Sequence, residues 1–213
     1  HKKEISIYEY INYKILTLQD INEEKYLLKL INLIKIIHNE VSNYLKNPNS
    51  FLNIFQMIDN KFHALKKYNS PYNDKLNDLI EDYKFFQSET KSHKIVFTHN
   101  DFYYKNILYD GKKFWIIDWE YSGLNPNILD LANLSRNLGL NDNQDNFILE
   151  EYFRSQITSK LKNSFQAIKL ISILNEVIWW MIAEIKSKKN IDCKSVIEEK
   201  IERNEIAKQK FFK

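Results

Sequence analysis

IVFTHNDFYYKNILYDGKKFWIIDWEYSG, residues Ile95 to Gly123, alternates short apolar runs with clusters of polar side chains. The apolar run Ile95–Phe97 is followed directly by the polar cluster Thr98–Asp101. This order is typical of a β-strand that delivers polar side chains to a site at its end. We therefore predict a strand at Ile95–Phe97 with functional residues directly after it.

A β-hairpin is predicted further along the same segment. The Asp110-Gly111 pair lies between two apolar runs, which is the strongest short hairpin signal. Such a hairpin brings Asp118 back toward Asn106, so that these two residues and Asp101 can converge on one spot. Two carboxylates and an amide oxygen are the hard ligands that Mg²⁺ prefers, and phosphoryl transfer needs this metal beside a carboxylate that orients the attacking hydroxyl.

Two motifs in this segment resemble a known family. His99-x-Asp101-x-x-x-x-Asn106 resembles the catalytic loop of the kinase-like phosphotransferases, and Asp118 resembles their metal-binding Asp. The residues Trp119–Gly123 that follow are similar to those of the choline/ethanolamine kinase branch. The second motif is more specific, because the loop spacing alone arises by chance in many proteins.

The resemblance implies an α+β, mainly helical fold, namely a protein-kinase-like C-terminal lobe with a short central β-hairpin. It also implies a phosphotransferase that uses ATP and Mg²⁺ and phosphorylates the hydroxyl of choline or ethanolamine. Asp101 is assigned as the base that accepts or orients the hydroxyl proton. Asn106 and Asp118 are assigned to the metal, with Asp118 also in the nucleotide site, and His99 to holding the loop in shape.

Aromatic and acidic residues are the candidates for the acceptor site. Glu120 and Tyr121 follow the metal ligand directly, so either could face the acceptor, with burial against the hairpin as the alternative. Trp179 and Trp180 lie on a predicted long helix, and Trp180 falls roughly opposite the centre of its apolar stripe. A Trp outside the apolar stripe needs a contact of its own. This contact is either a quaternary ammonium enclosed by aromatic faces or a second part of the protein core, which would bury the helix on two sides. The resemblance implies a Trp at the choline site, and Trp180 fits that motif better than Trp179.

Two regions are expected from the resemblance. Residues 1–18 are interpreted as a hinge strand and linker from an N-terminal ATP-binding lobe, and residues 19–213 as the helical C-terminal catalytic lobe. Within the chain nothing replaces the Gly-rich loop and phosphate-pairing lysine of such an N-terminal lobe.

The hinge is placed in an alternating segment near the start of the chain. Residues Glu4–Ile11 have the β-branched and aromatic alternation of a strand. The resemblance implies that the backbone at Glu9, Tyr10 and Ile11 faces the adenine. An edge strand of a small sheet is the alternative.

Helical periodicity accounts for most of the remaining chain. Asp20-x-x-Glu23 is predicted to be a capping box that starts a helix reaching about Leu45. Further helices are predicted from Ser50 through Phe62, from Leu76 to about Thr90, from Asn127 to Gly139, from about Asn143 to Arg154, from about Ser159 to Lys188, and from Ser195 to Phe212.

One further segment and two single residues are interpreted from their sequence context. Asn125-Pro126-Asn127 is predicted to be a turn. Asp130 is either an ordinary first-turn acid favoured by the helix dipole or, as the resemblance implies, a brace for the catalytic loop. His38 is interpreted as a partly buried surface residue, because no residue spacing in the chain indicates a zinc site.

Composition excludes several classes of protein. The net charge is +3, but the lysines are interspersed with acids and there are only three arginines, Arg136, Arg154 and Arg203, which argues against nucleic-acid binding. No apolar run is long enough to span a membrane, so membrane insertion is not expected. The single cysteine, Cys193, has no internal disulfide partner, which fits a cytoplasmic location. The oligomeric state is left open.

Two alternatives to choline or ethanolamine kinase are kept. A related kinase could phosphorylate another small alcohol, such as an aminoglycoside or thiamine, although Glu120–Gly123 argues against it. A catalytically silent binding lobe is the alternative from a different functional class.

Overall fold

The computed structural model describes residues 10–14, 16–44, 53–68, 70–90, 93–186 and 193–212. The helices in these ranges are α1 (Leu18–Ile21), α2 (Glu24–Glu40), α3 (Ile54–Lys67), α4 (Asn73–Ser88), α5 (Ile128–Leu138), α6 (Asp142–Phe153), α7 (Ser159–Lys186) and α8 (Lys194–Phe211). The strands are β1 (Ile95–Thr98), β2 (Ile107–Tyr109), β3 (Phe114–Ile116) and β4 (Gly123–Pro126). The mainly helical α+β architecture is as predicted.

The strands form two antiparallel pairs. The predicted hairpin pairs β2 with β3, and its turn is held by Asp110, whose carboxylate accepts the backbone N–H groups of Lys112 and Lys113 at 2.8 and 2.9 Å. Gly111 in this turn has φ +96°, a conformation that glycine adopts without strain. The hairpin prediction is therefore confirmed.

The second pair corrects one prediction. β1 pairs antiparallel with β4, in the register Ile95 with Pro126 and Thr98 with Gly123. Asn125 and Pro126, predicted as a turn, thus belong to a strand. A four-residue segment that contains proline has no local sequence pattern typical of a strand. It is a strand because it pairs with β1, which lies far away in the sequence.

Boundaries of α4 to α8 lie within a few residues of the predicted ones, whereas α2 ends at Glu40, before a 3-10 helix at Val41–Tyr44, and the first cap also differs. The capping box is formed by Thr17 and Asp20 around the short α1, and α2 starts after Glu23, which makes no side-chain cap. The predicted box at Asp20 and Glu23 is therefore wrong, because Asp20 is already the third residue of an earlier box. Asn53 caps α3 by accepting two backbone N–H groups, whereas the predicted cap Ser50 lies outside the described residues.

The core is built around α7. This helix packs against α3, α4, α5 and α8, while α2 packs against α6 and β1. Its fully buried residues include Ile171, Leu174 and Ile178, at the helical spacing that the sequence indicated. None of the described helices has the length and apolar character that a membrane crossing requires.

The predicted hinge is only partly within the described residues. Glu9 lies outside them, and Tyr10 and Ile11 form no strand, with Tyr10 84% exposed. The nearest pairing is at Lys14, whose backbone N–H donates to the Tyr109 carbonyl at 2.7 Å. The strand prediction is therefore wrong at Tyr10 and Ile11, and the adenine contact stays a prediction.

Candidate active site

The loop after β1 is shaped by one buried carboxylate. Asp130, in the first turn of α5, is fully buried and accepts the backbone N–H groups of His99 and Asn100, each at 2.8 Å. Asn100 has φ +68°, a left-handed conformation that Asn tolerates better than most residues. Of the two interpretations of Asp130, these contacts support the brace, because they fix the backbone at the point where the loop reverses.

His38 completes this buried group. Its Nε2 lies 3.0 Å from Asp130 Oδ2, and its Nδ1 lies 2.7 Å from the Tyr152 hydroxyl. Burial raises the pKa of Tyr152 to about 12, so this hydroxyl keeps its proton at neutral pH. His38 is buried rather than a partly exposed surface residue, and the prediction about it is wrong.

His99 uses both ring nitrogens inside the fold. Its Nδ1 accepts the Asp101 backbone N–H at 3.2 Å, and its Nε2 lies 3.0 Å from the Ile117 carbonyl. The ring is fully buried and packs edge-on to Trp119 at a centroid distance of 4.7 Å. These contacts tie the catalytic loop to the end of the hairpin and leave no ring nitrogen for a substrate, which supports a role in holding the loop.

Asp101 and Asn106 are in direct contact. Asn106 Nδ2 donates to Asp101 Oδ2 at 2.9 Å and to the Asp101 carbonyl at 3.1 Å. The Ile117 N–H donates to the Asn106 carbonyl at 3.1 Å, so the hairpin brings Asp118 close to Asn106. Asp118 is exposed and has φ +65°, which turns the chain sharply just after β3.

These residues have the donor chemistry of a magnesium site. The Asn106 amide directs its nitrogen to Asp101, which leaves its oxygen for a cation beside the Asp118 carboxylate. Within the described part of the chain, no three His, Cys, Asp or Glu side chains form a metal-binding cluster. The two oxygen ligands of Asn106 and Asp118 fit a metal that takes its remaining ligands from phosphate and water, as Mg²⁺ does.

Asn125 links the catalytic loop to α3. Its Oδ1 accepts the Ile54 N–H at 2.8 Å, and its Nδ2 donates to Thr98 Oγ1 at 3.1 Å and to Asn100 Oδ1 at 3.3 Å. The start of α3 and the start of the loop are thus held by one buried side chain.

A cavity of about 270 Å³ lies beside Asp101. It is bounded by the catalytic loop, α3, α5 and α7. Its polar and aromatic lining residues are Lys61, Asn100, Asp101, Tyr121, Asn133, Arg136, Ser172, Asn175, Glu176 and Trp179. A carboxylate of the catalytic loop and two aromatic side chains therefore face one small space.

The two tryptophans differ in their position relative to the cavity. Trp179 lines the cavity and is 46% exposed, whereas Trp180 is partly buried and packs on the core. The two rings are perpendicular at a centroid distance of 5.1 Å, so Trp180 packs against Trp179. Similarly, Tyr121 lines the cavity, but Glu120 does not and is exposed.

Charges in the cavity are unequally compensated. Arg136 and Glu176 form an ion pair at 2.5 Å, and Lys200 lies 3.4 Å from the same carboxylate. Lys61 instead donates to the neutral Asn175 Oδ1 at 2.8 Å, and burial lowers its pKa to about 8. For Tyr121, burial and then the charge of Glu120 raise the pKa, with smaller effects from Asp101 and Asp118.

A protein-family model described as choline/ethanolamine kinase matches residues 4–211 of the chain. The chain belongs to the choline/ethanolamine kinase family. Protein LicA of Haemophilus influenzae is 27% identical over 177 residues, which are 79% of this chain and 63% of that protein. The chain thus spans less than two thirds of the length of this curated relative.

Solved structures share the fold. A choline/ethanolamine kinase family protein from Mesorhizobium loti superposes with a TM-score of 0.79 at 20% identity, over 93% of this chain and 68% of that one. An aminoglycoside 2′-phosphotransferase in complex with GDP superposes with a TM-score of 0.64 at 12% identity, over 96% and 70% of the two chains. At these identities the likeness shows the fold alone, and it is the family model that separates choline/ethanolamine kinases from their relatives.

Several cavity residues of this choline/ethanolamine kinase family member were not singled out from the sequence. Lys61 and Glu176 are ordinary charged residues of amphipathic helices, and nothing in their spacing distinguishes them from solvated ones. The sequence distinguishes Arg136 only as one of three arginines. Its position shortly after Asp130 on α5, which the motif places near the loop, was the one available signal.

Proposed function

We propose that the full-length protein transfers a phosphoryl group from ATP to the hydroxyl of choline or ethanolamine. The observation that carries the proposal is the cavity in which Asp101 faces the aromatic side chains of Trp179 and Tyr121. Membership of the choline/ethanolamine kinase family supports the same reaction.

The catalytic loop suits phosphoryl transfer, which needs alignment and charge neutralisation more than covalent help. Asp101 accepts or orients the acceptor hydroxyl proton, and Asn106 holds the Asp101 carboxylate through its amide nitrogen. Asn106 and Asp118 would hold Mg²⁺, which neutralises phosphate charge when bound. His99 and Asp130 keep the loop backbone in place without contacting the substrate.

The acceptor's ammonium group is placed against Trp179. An aromatic face attracts a desolvated cation, and Tyr121 supplies a second ring whose hydroxyl stays protonated because burial raises its pKa. Trp180 supports the Trp179 ring, and Glu120 contributes negative charge from outside the cavity. The nucleotide contacts at Glu9, Tyr10 and Ile11, and the cytoplasmic location, stay predictions.

The cavity size weighs against an aminoglycoside acceptor. A volume of about 270 Å³ suits an amino alcohol with few heavy atoms better than a molecule with several sugar rings. Thiamine lies between the two in size, so it belongs in any substrate screen.

An acceptor screen on the full-length protein tests the proposal. ADP release is measured with Mg²⁺-ATP and, in turn, choline, ethanolamine, thiamine and an aminoglycoside, with Asp101→Asn as the matched inactive control. We expect the highest kcat/KM with choline or ethanolamine. A clear preference for thiamine or the aminoglycoside would contradict the proposed acceptor, and acceptor-independent background in every assay would favour a catalytically silent binding lobe.

A further inference from the structure

Lys61 is a cationic residue in the lining of the cavity that is proposed to bind a cationic acceptor. It extends from α3 into the lining that also contains Asp101 and Trp179, and it is partly buried there. Its Nζ is fixed by a hydrogen bond of 2.8 Å to Asn175 Oδ1 on α7. The ammonium is therefore held at the cavity wall and not free to swing into solvent.

The charges around Lys61 leave it without a compensating carboxylate among the described residues. From α7, Glu176 is engaged by Arg136 of α5 and by Lys200 of α8. From the catalytic loop, Asp101 bonds to Asn106 and not to Lys61. Burial alone lowers the pKa of Lys61, and no carboxylate raises it.

Two other titratable groups near α3 do not change this charge balance. The Tyr121 hydroxyl keeps its proton, because burial raises its pKa. Asp59, on α3 itself, contacts Tyr83 of α4 instead of Lys61. A cation that enters the cavity therefore meets Lys61 as an uncompensated like charge.

We propose that Lys61 competes, as a cation, with the ammonium group of the acceptor for this cavity, and so determines how strongly the site selects a cation. The proposal rests on the proposed function, because it takes the acceptor to be an amino alcohol. Neutral Lys61 still fills its place and bonds to Asn175, whereas protonated Lys61 repels the acceptor.

Proton release from Lys61 is accessible near neutral pH. Burial lowers the pKa of its ammonium to about 8 in the absence of a ligand, so the group is mostly charged at pH 7 and mostly neutral at pH 9. If the acceptor binds only when Lys61 is neutral, choline should bind about tenfold more tightly at pH 9 than at pH 7. Choline carries a permanent charge, so its own titration does not contribute.

Calorimetric titration of the full-length protein with choline at pH 7 and pH 9 tests this competition. Wild type should show the roughly tenfold gain in affinity, as should Lys66→Met, a control at an exposed lysine of the same helix. Lys61→Met should bind choline about equally at both pH values and as tightly as wild type at pH 9. Lys61→Arg, which stays charged, should bind weakly at both, and thermal melts establish that each variant is folded.

A neutral probe separates charge from shape. The isostere 3,3-dimethylbutan-1-ol, in which carbon replaces the quaternary nitrogen, should bind without the tenfold pH dependence. Choline affinity that does not change with pH, that falls as pH rises, or that keeps its pH dependence in Lys61→Met would overturn the proposal.

The outcome is distinguishable from failure of the proposed function. Turnover of choline with an unaltered pH dependence in Lys61→Met removes the role of Lys61 and leaves the kinase function in place. The expected pH dependence of choline binding without turnover of any amino alcohol retains the role of Lys61 and removes the kinase function. The absence of choline binding in every variant removes both.

Discussion

Replacing Asp130 with alanine tests whether this residue braces the catalytic loop or only complements a helix dipole. The carboxylate accepts two backbone N–H groups, from His99 and Asn100, and lies 3.0 Å from the His38 ring. A hydrogen bond to a charged group contributes about 1.5–3 kcal/mol, so loss of the two backbone bonds alone should cost about 3 kcal/mol or more. An exposed first-turn acid contributes only about 0.3–1 kcal/mol through the dipole.

Urea unfolding measures this difference. The free energy of unfolding of Asp130→Ala is compared with that of wild type and of Asp74→Ala, which removes an exposed acid from the first turn of α4. We expect a loss of about 3 kcal/mol or more for Asp130→Ala and less than about 1 kcal/mol for Asp74→Ala. Equal small losses in the two variants would refute the bracing role. The intermediate variant Asp130→Asn, which retains one acceptor oxygen, should fall between the two.

The remaining predictions concern the chemistry and the cavity. Asp101→Asn should lower kcat by about 10²-fold or more without lowering Tm, since general-base catalysis is worth about that much; near-normal kcat would show that another group orients the hydroxyl. Trp179→Ala should raise KM for choline about tenfold and leave KM for ATP unchanged, because a cation–π contact at this half-exposed ring lies between about 1 kcal/mol for an exposed site and about 2 kcal/mol for a desolvated one. Trp180→Ala should mainly lower Tm, and the reverse pattern would restore Trp180 as the contact residue. Lys61 has a pKa of about 8 in the fold against an ordinary value of 10.5, so it destabilises the fold below pH 8 and progressively less as pH rises toward 10.5. Lys61→Met should therefore raise Tm more at pH 7 than at pH 10, and an equal increment at both would contradict this account.

The hairpin and the proximity of Asp101 to Asn106 could be predicted from sequence because their signals are local. The spacing of Asp101 and Asn106, and the Asp-Gly turn before Asp118, each depend on residues within one short stretch of the chain. Helix boundaries on α5 to α8 were close for the same reason, since helical periodicity is a property of a single element.

Contacts between distant elements could not be predicted. His38 contacts Asp130, which lies 92 positions away in the sequence. Helical periodicity indicates that one face of the helix is buried, but it does not identify the residues that this face contacts. The difference between Trp179, which lines the cavity, and Trp180, which does not, could not be predicted either. Adjacent residues on a helix differ by about 100° in direction, so the contact with the cavity depends on how α7 is rotated against α3 and α5, which no local pattern records.

The contacts of Asn125 bear on the kinetics of the proposed phosphoryl transfer. Because its side chain joins the start of α3 to the catalytic loop, the wall that carries Lys61 and the carboxylate of Asp101 are expected to move together as one rigid body. The acceptor position is then assembled whether or not a nucleotide is bound. Choline should add to the free protein and to the nucleotide complex with similar affinity, so that initial rates with both substrates varied follow a random order of addition.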